Sequence, residues 1–171
     1  ASEYQVSANE ADDKLIRAMS MYRLGECLIQ VENYEKAPEV FSRAVDLSPN
    51  EDFKSQATYK LGEAQSLNGQ YQSAIDTFSD LLSKEVNAKR IPMIKLQLAE
   101  NLRKNGQLID AVDWYNAIIE DHKSTDASAR SYFALAEIEE HINQDYEQAN
   151  EYYELVRREF ANSAVRPEAK D

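Results

Sequence analysis

The chain has 171 residues, with 19 Lys or Arg against 31 Asp or Glu, and a formal net charge of −12. A surface this acidic repels phosphate backbones and excludes nucleic acid as a natural partner, while 43% hydrophobic residues suffice for a core and exclude global disorder. The single cysteine, Cys27, excludes an intramolecular disulfide and a Cys-based zinc cluster, and four Gly with four Pro are too few for a turn-rich β fold.

Residues 1–17 read as a helical lead-in. The segment Ala1 to Ala8 carries acid rather than base and has no apolar centre, so it does not read as a secretory signal. Lacking an initiating Met, the chain reads as a mature form or as a piece of a longer one. No apolar run approaches the ~18 residues that span a bilayer. From residue 18, Leu24, Leu28 and Val31 recur at helical spacing and predict a first helix. Glu32-Asn33 marks a turn, and Ala37, Phe41, Ala44 and Val45 predict a second helix. Pro38 falls in its first turn, where a missing N–H costs least, so only a mild distortion is expected. Ser48-Pro49-Asn50 stops that helix and starts the next. The same signals then recur: a turn at Asn68-Gly69, a break from Asn87 to Pro92, a turn at Asn105-Gly106, a helix start within Lys123 to Asp126, and a turn at Asn143 to Asp145. The reading is eight helices in four antiparallel pairs.

The recurrence has a fixed step. Tyr22-Arg-Leu-Gly-Glu26, Tyr59-Lys-Leu-Gly-Glu63, Leu96-Gln-Leu-Ala-Glu100 and Phe133-Ala-Leu-Ala-Glu137 lie 37 residues apart. A second block follows each: Ala37 with Phe41, Ala74 with Phe78, Ala111 with Tyr115, and Ala149 with Tyr153. The last is displaced by one residue, which is placed in the turn around Asn143 to Asp145. Small residues at Gly25, Gly62, Ala99 and Ala136 let paired helices approach closely, and the following aromatic residue fills the wedge. One pair cannot cover its apolar face alone, so pairs must stack.

This pattern resembles the tetratricopeptide repeat family. The first copy matches through Leu24, Gly25, Ala37, Phe41, Ala44 and Pro49, and the second through Leu61, Gly62, Ala74 and Phe78. The third and fourth copies carry Ala for Gly and Tyr for Phe. The resemblance covers residues 18 to 163, in units of 37 residues against the usual ~34. It implies one domain over 1–171, an all-α, right-handed superhelical solenoid of about four antiparallel helix pairs. The repeats fall at 18–51, 55–88, 92–125 and 129–163, with 164–171 a cap or the start of a further repeat. It also implies a protein-binding scaffold rather than an enzyme. The longer unit and the ending after Phe160 are similar to bacterial members found in envelope assembly and division factors, which leaves the compartment open between envelope or periplasm and cytoplasm.

In such a fold the first helices line a concave groove. Tyr22 and Glu26 share a helix face, as do Tyr59 and Glu63, Leu96 and Glu100, and Phe133 and Glu137. The groove implied by the resemblance would align them as an apolar row beside a carboxylate row. Met19, Gln56, Met93 and Arg130 come one turn earlier; Ile29, Ser66, Arg103 and Glu140 come one turn later. Such rows would draw an extended or helical protein segment rich in Lys or Arg, by charge and by cation–π contact. The competing explanation is that Glu is a good helix former copied along with the repeat. The family's clamp for acidic tails needs Lys, Asn and Arg, whereas Tyr22, Glu26, Gln97, Met93 and Ala134 stand in the corresponding places, so an acidic tail is not expected. From Tyr132 to Glu154 there are seven acids and no Lys or Arg, a run that reads first as a solvated face. The alternative to capture is a structural or homo-oligomerisation module, because the end faces of repeat stacks need covering.

No cofactor or metal is expected. His141 and Glu137 share a face, but a zinc site needs three or four ligands and His122 lies nineteen residues away. Cys27 follows Glu26, whose charge disfavours a thiolate, and is expected to be a small buried apolar group. No phosphate loop, Gly-x-Ser-x-Gly or His-Glu-x-x-His occurs.

Overall fold

A computed structural model describes residues 2–85 and 87–160, with side chains from residue 13 onward. Among these residues all regular structure is helical: α1 (Ser2–Gln30), α2 (Ala37–Leu47), α3 (Glu51–Leu67), α4 (Tyr71–Lys84), α5 (Ile91–Lys104), α6 (Leu108–Asp121), α7 (Asp126–Ile138) and α8 (Tyr146–Glu159). A π-helical segment, Glu139–Asn143, follows α7. The chain forms two compact units, Ala1–Glu85 with α1 to α4 and Val86–Asp171 with α5 to α8. Residues 164–171, read above as a cap or a further repeat, lie outside the described residues.

The lead-in is not a separate helix. Residues 1–17 hold neither Gly nor Pro, so nothing interrupts α1 between Ser2 and Gln30. Pro38 and Pro92 each occupy the second position of a helix, α2 and α5, where no N–H partner is lost. Three starts carry side-chain caps. Asn50 Oδ1 accepts from Phe53 N at 2.7 Å, Thr125 Oγ1 from Ser128 N at 3.2 Å, and Asp145 Oδ1 from Gln148 N at 3.0 Å.

Inside each pair the wedge predicted from the repeat is present. In the first unit Phe41 and Phe78 are fully buried. Each ring lies so close to the facing helix that a Cβ on Gly25 or Gly62 would stand 2.6 Å from the ring tip. Burying one such ring contributes on the order of 1.5–3 kcal/mol. In the second unit Tyr115 takes the equivalent place and is fully buried, as are Ala99 and Ala136. Ala129 and Val156 are the buried centre between α7 and α8, surrounded by Tyr132, Phe133, Tyr153 and Phe160.

Each pair turns on a left-handed residue: Glu32, Gly69, Gly106 and Gln144 have φ of 58°, 74°, 82° and 58°. The hydrogen bonds closing the first three turns are Asn33 N to Leu28 O, Gln70 N to Gln65 O, and Gln107 N to Leu102 O, at 2.8, 2.9 and 2.9 Å. The fourth runs from Asp145 N to Glu139 O and encloses one residue more. The fourth copy's surplus residue was expected in the turn itself. It is taken up by the π segment before the turn, whose wider coil stores one extra residue.

Candidate functional site

In the first unit the expected site residues come from α1 and α3. The ring of Tyr22 meets Phe41 edge-on at 5.7 Å and Phe53, at the start of α3, at 5.5 Å. Tyr59 meets Phe78 at 5.6 Å. Both tyrosines are therefore half-buried, with part of their area already spent on the pair's own wedge. Glu26 accepts from Arg23 at 2.7 Å, and Glu63 accepts from Lys60 at 2.6 Å. Burial pushes the Tyr22 hydroxyl above its ordinary value; the Glu26 and Glu63 carboxylates add to this, and Lys60 opposes it. Burial alone would lower the Lys60 ammonium, but the hydrogen bond and charge of Glu63, with Tyr22 and Glu26 behind them, leave it raised. Tyr22, Glu26, Lys60 and Glu63 thus form one electrostatic group across α1 and α3.

In the second unit the partners come from α5 and α7. Arg130 donates to Glu100 at 3.1 Å and Arg103 to Glu137 at 3.0 Å, so two ion pairs join the first helices of adjacent repeats. Burial raises the Tyr115 hydroxyl strongly; Arg103 counteracts, while Glu100 and Glu137 reinforce. Phe133 meets Tyr153 at 5.5 Å, and the Tyr153 hydroxyl donates to Glu140 at 2.9 Å. Leu96, expected on the apolar row, is fully buried. It packs as core, because the residue at this place in α5 is aliphatic and lies inward.

Each of the four glutamates therefore already has an internal basic partner: Arg23, Lys60, Arg130 and Arg103 in turn. The i,i+3 spacing of Arg23 with Glu26 and Lys60 with Glu63 is readable in the sequence. The pairs between α5 and α7 depend on how neighbouring repeats register, which spacing along one helix does not reveal.

Two further expectations are corrected. Cys27 is exposed rather than buried. It lies on the outer side of α1 with Leu24, which is also exposed, as is Val31 just past the helix end. His141 lies 3.8 Å from Glu140, not against Glu137, since the π segment shifts the register after Ile138. Among the described residues no three His, Cys, Asp or Glu side chains converge as metal ligands, and no helix is long and apolar enough to cross a membrane.

Sequence profiles described as tetratricopeptide repeat match residues 19–51, 56–87 and 128–163. No curated protein sequence is similar enough to match. Among solved structures, MamA from residue 41 onward of Desulfovibrio magneticus RS-1 superposes with a TM-score of 0.67 at 17% identity, over 86% of this chain and 77% of that one. YrrB, described as a TPR protein with an unusual peptide-binding site, superposes with a TM-score of 0.64 at 16% identity, over 98% of this chain and 87% of that one. At these identities the likeness is one of fold.

Proposed function

The chain belongs to the tetratricopeptide repeat family, and on that premise we propose that this protein-interaction scaffold captures an extended or helical basic segment on the faces of its first helices. In the first unit Tyr22, Glu26, Tyr59 and Glu63 supply contact area and charge. In the second, Glu100, Phe133 and Glu137 do so over the buried Leu96.

The observation that supports this most is Lys60. Its ammonium is held 2.6 Å from Glu63, with Glu26 and Tyr22 nearby. A cation in this place is favoured despite partial burial. A ligand lysine offered to the same carboxylates would meet the same field and displace an internal partner rather than fill an unmet charge. Each exposed ion pair is worth only ~0–1 kcal/mol, so capture requires several at once.

Titration calorimetry with a synthetic lysine-rich peptide tests the reading. Binding should weaken as salt rises. Changing Glu26, Glu63, Glu100 and Glu137 to Gln should lower affinity by roughly tenfold or more and flatten the salt dependence. Equal affinity and equal salt slope in the variant would refute capture by these carboxylates.

A further inference from the structure

The four glutamates of the repeat do not have the same kind of partner. In the first unit the cation sits three residues before the carboxylate on the same helix: Arg23 before Glu26, and Lys60 before Glu63. In the second unit that place holds Gln97 and Ala134, which carry no charge. The cations come instead from Arg130 and Arg103. The other repeats have Met19, Gln56 and Met93 where Arg130 stands, and Ile29, Ser66 and Glu140 where Arg103 stands. Two arginines peculiar to the second unit thus take over from two cations that it lacks.

The replacement changes what the pairs join. Arg23 with Glu26 is a contact within α1, and Lys60 with Glu63 a contact within α3, so breaking either unties no helix from its neighbour. Arg130 Nη2 of α7 donates to Glu100 Oε1 of α5 at 3.1 Å, and Arg103 Nη1 of α5 donates to Glu137 Oε2 of α7 at 3.0 Å. Each helix thus gives one arginine and one carboxylate to the other. Glu100 and Arg103 lie one turn apart on α5, Arg130 and Glu137 two turns apart on α7, so α7 is tied at two levels. All four side chains are only 20–35% accessible, against 75% for Arg23, so solvent and salt screen these pairs less. Tyr115, fully buried, lies close enough to feel Arg103, Glu100 and Glu137, so the pairs close over the core of the unit.

A ligand's basic group therefore meets the two units differently. Glu26 or Glu63 can exchange its own helix's cation for the ligand's, and nothing else need move. Glu100 or Glu137 can do so only by letting go of the neighbouring helix. We propose that the pairs of Arg130 with Glu100 and Arg103 with Glu137 form a ligand-released clasp: a basic segment captured on the second unit frees α7 from α5, and the closed clasp holds its affinity down. Ligand release rests on capture by these carboxylates, as proposed above; the clasp of the free protein does not. Linkage fixes the sign, because if binding opens the clasp, opening the clasp must strengthen binding by the same factor.

Arg103→Gln with Arg130→Gln opens the clasp and leaves both carboxylates in place. Amide hydrogen exchange of the full chain should then quicken along α7, whereas Arg23→Gln should leave α3 as slow as before. Titration calorimetry should show the synthetic lysine-rich peptide binding roughly threefold tighter or more. Lys89→Gln with Lys123→Gln removes the same two charges from exposed residues outside the clasp and should tighten binding less. Arg103→Glu with Glu137→Arg swaps one pair at constant net charge, and its α7 should exchange more slowly than that of Glu137→Arg alone. Helical circular dichroism checks that each chain is folded, and either single Gln variant carries the same comparison with half the charge loss. Exchange along α7 that the Gln variants leave unchanged overturns the clasp. Faster exchange with no gain in affinity beyond the charge control overturns ligand release and leaves capture standing. Failure of the peptide to bind either chain refutes capture, and ligand release with it.

Discussion

Gly62 shows how one atom decides a helix contact. In an open helix, Gly→Ala stabilises by about 1 kcal/mol through propensity. Here the added Cβ would stand 2.6 Å from Cζ of the buried Phe78 ring, and overpacking of that kind costs about 1–3 kcal/mol. Gly62→Ala should therefore lower the urea midpoint; a rise would show that the ring can yield. The third and fourth copies carry Ala at this place, each opposite a tyrosine. His122 sets a pH dependence of its own. Its Nε2 is buried without a partner. Burial first, and Lys95 second, hold the imidazole below its ordinary value of 6.5, against the pull of Asp121. The unfolded chain therefore takes up the proton first as pH falls. The stability associated with neutral His122 is complete above 6.5 and is lost on acidification below it. Melting curves across that range should show this loss, and His122→Gln should flatten it. Parallel curves for the two proteins would assign the acid sensitivity to other groups.

At the scale of elements, the four left-handed turn residues are a natural comparison. Gly69 and Gly106 fill two of the places, Glu32 and Gln144 the others. A side chain in this region costs about 1 kcal/mol relative to Gly. Glu32→Gly should raise stability by about that amount, and Gly69→Ala should lower it by about as much, because a Cβ there meets nothing within 4 Å and only the backbone term remains. Chemical denaturation of both variants reads the two signs directly. The π segment offers a length test. Deleting Ile142, which is exposed, would restore the spacing of the first three copies. The shortened chain should keep its helical circular dichroism and change stability by no more than about 1 kcal/mol. Loss of the fold would mean that the wide turn is required.

For the molecule as a whole, charge is the dominant long-range term. Like charges on a chain of net −12 repel one another, and salt screens them beyond about 8–10 Å. Raising salt from low to physiological strength should lift the melting temperature by a few degrees, at about 2–4 °C per kcal/mol for a chain of this size. A fall would show that ion pairs such as Arg130 with Glu100 outweigh the repulsion. The repeat made the helix pairs, their turns and the small-residue contacts with Phe41, Phe78, Tyr115 and Tyr153 legible, because each depends on spacing along the chain. What it hid depends on neighbours in space. Leu96 reads like Tyr22 and Tyr59 by position, yet lies in the core. Cys27 reads as buried because its counterparts Ala64 and Ile138 are, but among the described residues none covers it. The internal partners of Glu100 and Glu137 come from another repeat, and no pattern within one helix predicts them.

The single wide coil after Ile138 bears on how such chains change over time. An added residue in a regular helix would swing everything after it by about 100° and scatter a whole packing pattern. Stowed in one relaxed coil, it leaves Asp145 free to cap the next helix and Tyr153 to reach its usual neighbours. Duplicated units can then drift apart in length while each still seats the one beside it, so insertions near this end of a pair meet little resistance from the fold.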